Sequence, residues 1–173
     1  LGSPLLAETF DLLQEDLEVQ SYLRMANIMA VKRLGYNDHG PVHAKIIAGS
    51  ALEIFKLLTT RVEPSSVVHG VCGYDDAQLI VLLGAYLHDI GNAVHRIDHE
   101  QSSTFLSMGI LDRVLNRVYH DDHELAYRIK CEVLHALFSS NDAVPCLSVE
   151  AGAVTIADGT DMAEGRSRVP YLS

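Results

Sequence analysis

The chain has 173 residues, 48% of them hydrophobic, which is enough apolar side chain to bury the core of one domain. Its net charge of −10 argues against a nucleic-acid-binding face, no apolar run is long enough to cross a membrane, and the first residues have no basic signal-peptide segment. The three cysteines form no CxxC pair, as in proteins with reduced thiols, so we expect one cytoplasmic domain over residues 1–173 without nucleic-acid or membrane partners.

The first part of the sequence predicts three helices. Ser3-Pro4 is typical of a helix start, and apolar residues follow with helical spacing through residues 5–17. A second helix is predicted over residues 22–34, where Gly35 can end it. Gly40-Pro41 opens a third helix, whose predicted inner face consists of Ile46, Ile47, Ala51, Ile54, Phe55 and Leu58.

The rest of the sequence predicts a loop followed by further helices. Residues 61–74 are rich in proline, serine and glycine and predict a loop, with Val67 and Val68 as a short extended piece. Asp75 or Asp76 can cap a fourth helix, and later helices are predicted over residues 99–118, 122–138 and 149–164. Because no segment alternates like a strand, the fold class predicted is an all-α bundle of about six or seven helices.

The run Leu87-His88-Asp89-Ile90-Gly91-Asn92 is the most informative part of the sequence, because an adjacent His–Asp pair follows a strongly apolar stretch. Ionisable side chains among apolar neighbours are costly to bury unless they are paired or bound to a metal. A lone histidine of this kind is usually satisfied by a hydrogen bond. Several on different helices instead indicate a shared ion, since helix bundles build metal sites from inward-facing side chains on separate helices. The sequence therefore predicts a metal centre.

The candidate ligands share this setting of ionisable groups beside apolar residues. They are His43, His88, Asp89, His99, His135 and Asp158. Asp89 has two carboxylate oxygens and can bridge two ions. A histidine-rich set of this kind favours Mn, Fe, Co, Ni or Zn over Mg, so we expect one or two divalent transition-metal ions.

The order of these residues resembles the HD-domain superfamily of metal-dependent phosphohydrolases. Its pattern is a histidine, an adjacent His–Asp pair and a distal aspartate on a later helix. These places are matched here by His43, by His88-Asp89 in LLGAYLHDIGN and by Asp158 in VTIADGTDM. The resemblance covers about residues 40–165 and implies an HD-like helical bundle in which these four residues hold the first ion.

The resemblance also implies a second ion. Many members of the superfamily that bind two metals add two histidines between the His–Asp pair and the last aspartate. His99 and His135 fit those places, so the second ion would be held by Asp89, His99 and His135. His95 lies one helical turn before His99 and could replace it. His120 and His123 lie in the polar sequence YHDDHEL, which favours an exposed, capping position.

The activity implied by the resemblance is hydrolysis of a small phosphoester, with a nucleotide as the expected class, by a metal-activated water. Asp89 and His95 are the predicted catalytic residues, and His95 would protonate the leaving group. Arg96, Arg166 and Arg168 are the predicted substrate-binding residues, because a guanidinium suits phosphate recognition. Gly91 is placed to end the helix before it, at the C′ position.

Two other functions remain open at this point. The superfamily includes di-iron oxygenases with similar ligands, and the same centre could also serve a non-catalytic regulatory module that binds metal and nucleotide. Oxygen uptake by the iron-loaded protein favours the first, and tight nucleotide binding without hydrolysis favours the second. The sequence leaves the oligomeric state open, a homodimer included.

Overall fold

The structure, a computed structural model, describes residues 3–141 and 143–161, in which all regular secondary structure is helical. The eight α-helices are α1 Pro4–Glu15, α2 Leu17–Asn27, α3 Pro41–Leu58, α4 Ser65–Val68, α5 Tyr74–Leu87, α6 His99–Val118, α7 His123–Phe138 and α8 Val149–Thr160. A π-helical turn, Ile28–Arg33, follows α2, and a 3-10 helix, Ile90–Ala93, follows α5. The predicted all-α bundle is confirmed. None of the helices in the described ranges is long and apolar enough for a membrane span.

Helix α5 is the centre of the bundle. It packs against α3, α7 and α8, and every side chain from Ala77 to Leu87 is buried. A helix that is apolar on all sides must be surrounded in this way. His88 and Asp89 follow directly after Leu87, the last residue of α5. Because α5 is surrounded by other helices at this end, both residues lie in the interior with only 2% of their surface exposed.

The first predicted helix is divided in two by Asp16. This residue ends α1, and its side chain accepts hydrogen bonds from the backbone N–H groups of Glu18 and Val19, which makes it the N-cap of α2. Leu17 therefore belongs to α2 and is 76% exposed instead of lying on the inner face. The apolar residues keep helical spacing across Asp16, so the spacing could not show that one helix ends and another begins there.

The predicted extended piece at Val67 and Val68 is wrong, because these residues belong to the short helix α4. The carboxylate of Glu150, in the first turn of α8, is fully buried and accepts hydrogen bonds from the backbone N–H groups of Ser65 and Ser66 and from the Ser66 hydroxyl. The N–H groups that begin a helix need acceptors. Glu150 supplies them from a distant part of the chain and thereby joins α4 to α8.

Candidate metal centre

The centre is formed where three helices end or begin. His43 lies in the first turn of α3. The carboxylate of Asp38 stabilises the start of this helix, because it accepts hydrogen bonds from the backbone N–H groups of Gly40 and His43, at 3.3 and 3.2 Å. His88 and Asp89 follow α5, and Asp158 lies in the last turn of α8. Four of the predicted ligands therefore come together from three separate helices.

These side chains lie close enough together that they could hold one metal ion. His43 Nε2 lies 3.1 Å from Asp89 Oδ2 and 3.4 Å from Asp158 Oδ1. His88 Nε2 lies 3.4 Å and 3.6 Å from the same two oxygens. One ligand atom each of His43, His88 and Asp158 lies within 4.8 Å of the others. Ligand atoms about 2.0–2.2 Å from one ion are at most about 4.4 Å apart, so a small inward movement of these side chains would be enough to bind an ion here.

Both histidines are oriented by hydrogen bonds at Nδ1. His43 Nδ1 lies 2.8 Å from Asp161 Oδ2, and His88 Nδ1 lies 2.8 Å from the carbonyl oxygen of Ala85. A carboxylate or carbonyl oxygen only accepts, so each Nδ1 carries the proton and donates it. This leaves each Nε2 directed at the carboxylates, which is the arrangement that metal-binding histidines use.

Two buried atoms in the centre support the assignment independently. His88 Nε2 and Asp89 Oδ2 are inaccessible to solvent, and within the described residues their close contacts, 3.1–3.6 Å to other groups of the centre, do not have hydrogen-bond geometry. Buried polar atoms nearly always have a hydrogen-bond partner, and leaving one without a partner is costly. An ion bound between them would satisfy both, so the residues present fit a divalent metal.

The electrostatics of the metal-free centre follow from the same contacts. Burial by itself would raise the pKa of Asp89, but the positive charge of His88 and the contact with His43 hold this pKa well below its ordinary value of 3.8. Burial likewise opposes ionisation of Asp158, whose pKa is also held well below 3.8 by His43 and His88. Conversely, the two carboxylates raise the pKa of His88 above 6.5 although burial lowers it. Below this raised pKa, the protonated imidazole of His88 supplies a positive charge that a bound cation would replace.

His99 lies on the opposite side of the Asp89 carboxylate from His43 and His88. Its Nε2 is 3.3 Å from Asp89 Oδ1, and its Nδ1 is 3.0 Å from the carbonyl oxygen of Arg96 and 3.2 Å from Glu100. The structure therefore brings His99 to the centre, as predicted. It also shows that Asp89 directs one oxygen to each side.

Gly91 allows this approach, although it does not end a helix at C′ as the sequence suggested. It lies within the 3-10 helix, and its φ is not positive. A Cβ at this position would overlap the carbonyl oxygen of His99 and the backbone nitrogen of Ser103. Glycine is required because the 3-10 helix and the start of α6 are in contact at the backbone.

Apart from Asp89, the predicted catalytic and substrate-binding residues that the structure describes are His95 and Arg96, which lie in the loop before α6. Arg96 is half-buried and reaches the centre, where its Nη1 lies 3.1 Å from His99 Nε2. His95 is exposed, and its Nδ1 accepts a hydrogen bond from the backbone N–H of Ile97 instead of contacting the ligands. Arg166 and Arg168 lie outside the described residues.

His135 requires a correction, because the structure does not bring it to the centre. Its Nε2 accepts a hydrogen bond from the backbone N–H of Leu147 at 3.0 Å, and it lines a surface pocket near the start of α8. Asp158 lies near the opposite end of α8, about 13 Å along the helix axis from its first residue, Val149. The apolar neighbours of His135 correctly predicted that it lies on a packed helix. They did not indicate at which end of the bundle it lies.

His120 and His123 are exposed, as predicted. His120 pairs with Asp121 at the surface. The cap of α7 is neither histidine but Asp122, whose side chain accepts from the N–H of Leu125.

Two residues of the centre were missed by sequence reasoning. Asp161 orients His43, as described above, and its side chain is almost fully buried. His39 is also buried, and its ring centroid lies 5.7 Å from that of His43. A weak signal existed for both, because His39 precedes His43 by four residues and Asp161 follows Asp158 by three, which is about one helical turn in each case.

Comparisons with known proteins place these findings in context without assigning a function. An uncharacterized protein of Methanocaldococcus jannaschii is 47% identical over 162 residues, which are 93% of this chain and 62% of that protein. The chain thus spans less than two thirds of that relative. No family model matches the chain. No solved structure matches it either.

Proposed function

We propose that this chain is an HD-like, metal-dependent phosphohydrolase that acts on a small phosphoester, with a nucleotide as the expected class. The observation that carries the proposal is the convergence of His43, His88, Asp89 and Asp158 at one buried point. When bound, a divalent ion of the Mn, Fe, Co, Ni or Zn group supplies a nucleophilic water and neutralises charge on the phosphate oxygens. The rest of the chemistry falls to the residues of the chain.

The proposed ligand residues are held in position by hydrogen bonds to other groups of the chain, both near and distant in sequence. His43 and His88 present Nε2 because their Nδ1 atoms donate to Asp161 and to Ala85. Asp89 is held through Asn92, whose Nδ2 donates to its Oδ1 at 2.9 Å. A centre fixed in this way loses little free energy to reorganisation when the substrate arrives.

The loop before α6 carries the residues we propose for the substrate. Arg96 lies beside His99 with its guanidinium directed at the centre, where it can hold a phosphate oxygen. His95 is exposed on the same loop, and we propose that it gives a proton to the leaving group. A His95→Gln variant should then lose turnover mainly for substrates with poor leaving groups. Equal loss for good and poor leaving groups would remove His95 from this role.

The experiment is a hydrolysis screen of the metal-stripped protein after reconstitution with each of the five metals in turn. The panel should include nucleoside monophosphates, cyclic nucleotides and simple phosphomonoesters and diesters. We expect metal-dependent release of product from at least one class, and its loss in Asp89→Asn. Asp121→Asn, which changes an exposed aspartate, is the matched control and should keep full activity.

Failure of this screen would direct attention to the alternatives. Tight nucleotide binding without turnover by the metal-loaded protein would support a regulatory module. Oxygen consumption by the iron-loaded protein, without phosphoester hydrolysis, would support an oxygenase. Either result would overturn the phosphohydrolase proposal.

A further inference from the structure

The carboxylate of Asp89 divides the centre into two sides. Its Oδ2 faces His43 and His88, and its Oδ1 faces His99. A second ion of the kind that the superfamily resemblance implies would have to bind on the His99 side. The residues on that side can therefore be tested for whether they fit such an ion.

Among residues 3–141 and 143–161, too few ligands face the His99 side for a second ion. His135, the histidine expected to complete it, is hydrogen-bonded to Leu147 near the other end of α8. Among the described residues, the group of three or more ligands that could hold an ion is His43, His88 and Asp158, on the first side. On the second side, the geometry provides Asp89 Oδ1 and His99 Nε2.

Both of these atoms already have partners. Asp89 Oδ1 accepts from Asn92 Nδ2 at 2.9 Å. Arg96 Nη1 lies 3.1 Å from His99 Nε2, and a guanidinium can only donate, so Nε2 accepts. The same tautomer lets His99 Nδ1 donate to the carbonyl oxygen of Arg96, at 3.0 Å. The lone pair that a second ion would need is therefore used by Arg96.

The guanidinium is fixed in this position by further contacts. Arg96 Nη1 also donates to Asn92 Oδ1 at 3.2 Å, and Arg96 Cζ lies 6.0 Å from the centroid of the Tyr36 ring. The amide of Asn92 is itself held, because its Nδ2 donates to both the backbone carbonyl and the carboxylate of Asp89. A chain of contacts therefore runs from Asp89 through Asn92 and Arg96 to His99, and it places a permanent positive charge beside His99, on the side of the centre that Asp89 Oδ1 faces.

We propose that this centre holds a single metal ion and that the Arg96 guanidinium occupies the place of a second cation, where it binds a phosphate oxygen of the substrate. Arginine is suited to this role because it stays protonated and has five N–H donors in a planar fork, so donors remain for phosphate. The phosphate contact rests on the proposed function, whereas the number of ions does not.

The test measures metal content and phosphate binding separately. Elemental analysis and calorimetric titration with Mn²⁺ should give one ion per chain for the wild type, for His135→Ala and for Arg96→Ala. The electron paramagnetic resonance spectrum of the Mn²⁺ protein should be that of an isolated ion. Two ions per chain, a spectrum of coupled ions, or loss of an ion in His135→Ala would overturn the proposal.

Inorganic phosphate is the probe for the arginine. Its affinity for the Mn²⁺-loaded protein should fall by about tenfold or more in Arg96→Ala, as expected when a hydrogen bond to a charged group is lost. Arg96→Lys keeps the positive charge but not the planar set of N–H donors, so its phosphate affinity should fall less. Arg128→Ala, on an exposed face of α7, should keep the phosphate affinity of the wild type. Wild-type phosphate affinity in folded Arg96→Ala and Arg96→Lys would overturn the arginine's role.

These outcomes are separate from those of the hydrolysis screen. Hydrolysis by a protein that holds two ions would leave the proposed function intact and overturn the single-ion centre. One ion and Arg96-dependent phosphate binding, without hydrolysis of any phosphoester, would support the single-ion centre and overturn the proposed function.

Discussion

The Nδ1 atom of His43 donates a hydrogen bond to Oδ2 of Asp161, across 2.8 Å and 118 residues of sequence. This contact joins the first turn of α3 to the end of α8, and it fixes the tautomer in which His43 Nε2 faces the centre. We therefore expect the candidate metal centre to depend on this Asp161 carboxylate as well as on the proposed ligands.

Replacing this carboxylate should weaken metal binding without removing a ligand. In Asp161→Asn the amide can orient either way, and the imidazole loses a charged acceptor. We expect the affinity for Mn²⁺ or Zn²⁺ to fall by about 10–100-fold, the usual effect of such outer contacts, while one ion still binds at saturation. Calorimetric titration measures this. Unchanged affinity in Asp161→Asn, with Asp121→Asn as control, would show that the contact has no role in binding.

The hydroxyl of Ser103 should stabilise the fold around the centre. It is fully buried, donates to the backbone carbonyl of His88 and accepts from the N–H of Gly91 at 2.8 Å. Ser103→Ala leaves both backbone groups buried without a partner, which should lower the free energy of unfolding by about 1–3 kcal/mol. Urea unfolding of the metal-free protein measures the loss. Ser102→Ala, at a less buried position of the same helix, should change stability little, and equal losses in the two variants would refute this account.

A methyl group at Gly91 should disrupt the His99 side of the centre. Its Cβ would overlap backbone atoms of His99 and Ser103, which side-chain rotation cannot relieve. We expect Gly91→Ala to have a lower free energy of unfolding than the wild type. Its affinity for phosphate should fall more than its affinity for the ion held by His43 and His88. Gly49→Ala is the control: nothing lies within 4 Å of the added Cβ, and a helical position should gain about 0.5–1 kcal/mol. Wild-type phosphate affinity in Gly91→Ala would contradict the close packing.

Metal binding should strengthen as the pH rises. The pKa of His88 is raised above 6.5 in the metal-free protein, so at pH values below this pKa the imidazole carries a proton that the ion has to displace. Titration in buffers of different ionisation enthalpy should detect proton release at pH 6.5, and the affinity should increase between pH 6 and pH 8. An affinity that falls over this interval, or binding without proton release, would contradict the assignment of His88.

The stability of the metal-free protein should depend on pH in the opposite sense over the same interval. The raised pKa of His88 means that its contribution is fully present below pH 6.5 and is lost as the pH rises through the folded-state pKa. Asp89 and Asp158 have lowered pKa values, so their contributions are present above 3.8 and are lost as the pH falls below it. Thermal unfolding of the metal-free protein should therefore show greatest stability between these limits, and stability that rises continuously toward pH 8 would contradict this.

The sequence was sufficient to predict four residues that the structure brings together, but not to assign every residue to its place. His43, His88, Asp89 and Asp158 were identifiable because ionisable groups beside apolar segments demand a partner. His135 met the same criterion and was placed wrongly, since helical spacing shows that a face is packed but not which neighbours it meets. Asp161 was missed because it caps a helix end, outside any apolar run.

The pattern of apolar residues also could not predict two local features of the backbone. The boundary between α1 and α2 depends on the Asp16 carboxylate, and the role of Gly91 depends on the approach of α6, which comes from tertiary packing. The fold class needed only the helical periodicity and was predicted correctly. Contacts between distant residues had to come from the structure.

The most direct test of the central claim is the anomalous scattering of crystals grown from the Mn²⁺-loaded protein. We expect one peak per chain, bonded to Nε2 of His43, Nε2 of His88 and the carboxylates of Asp89 and Asp158, with the Arg96 guanidinium beside His99. Absence of a peak at this point, or an ion bound near His135 instead, would show that these four residues do not form the metal centre.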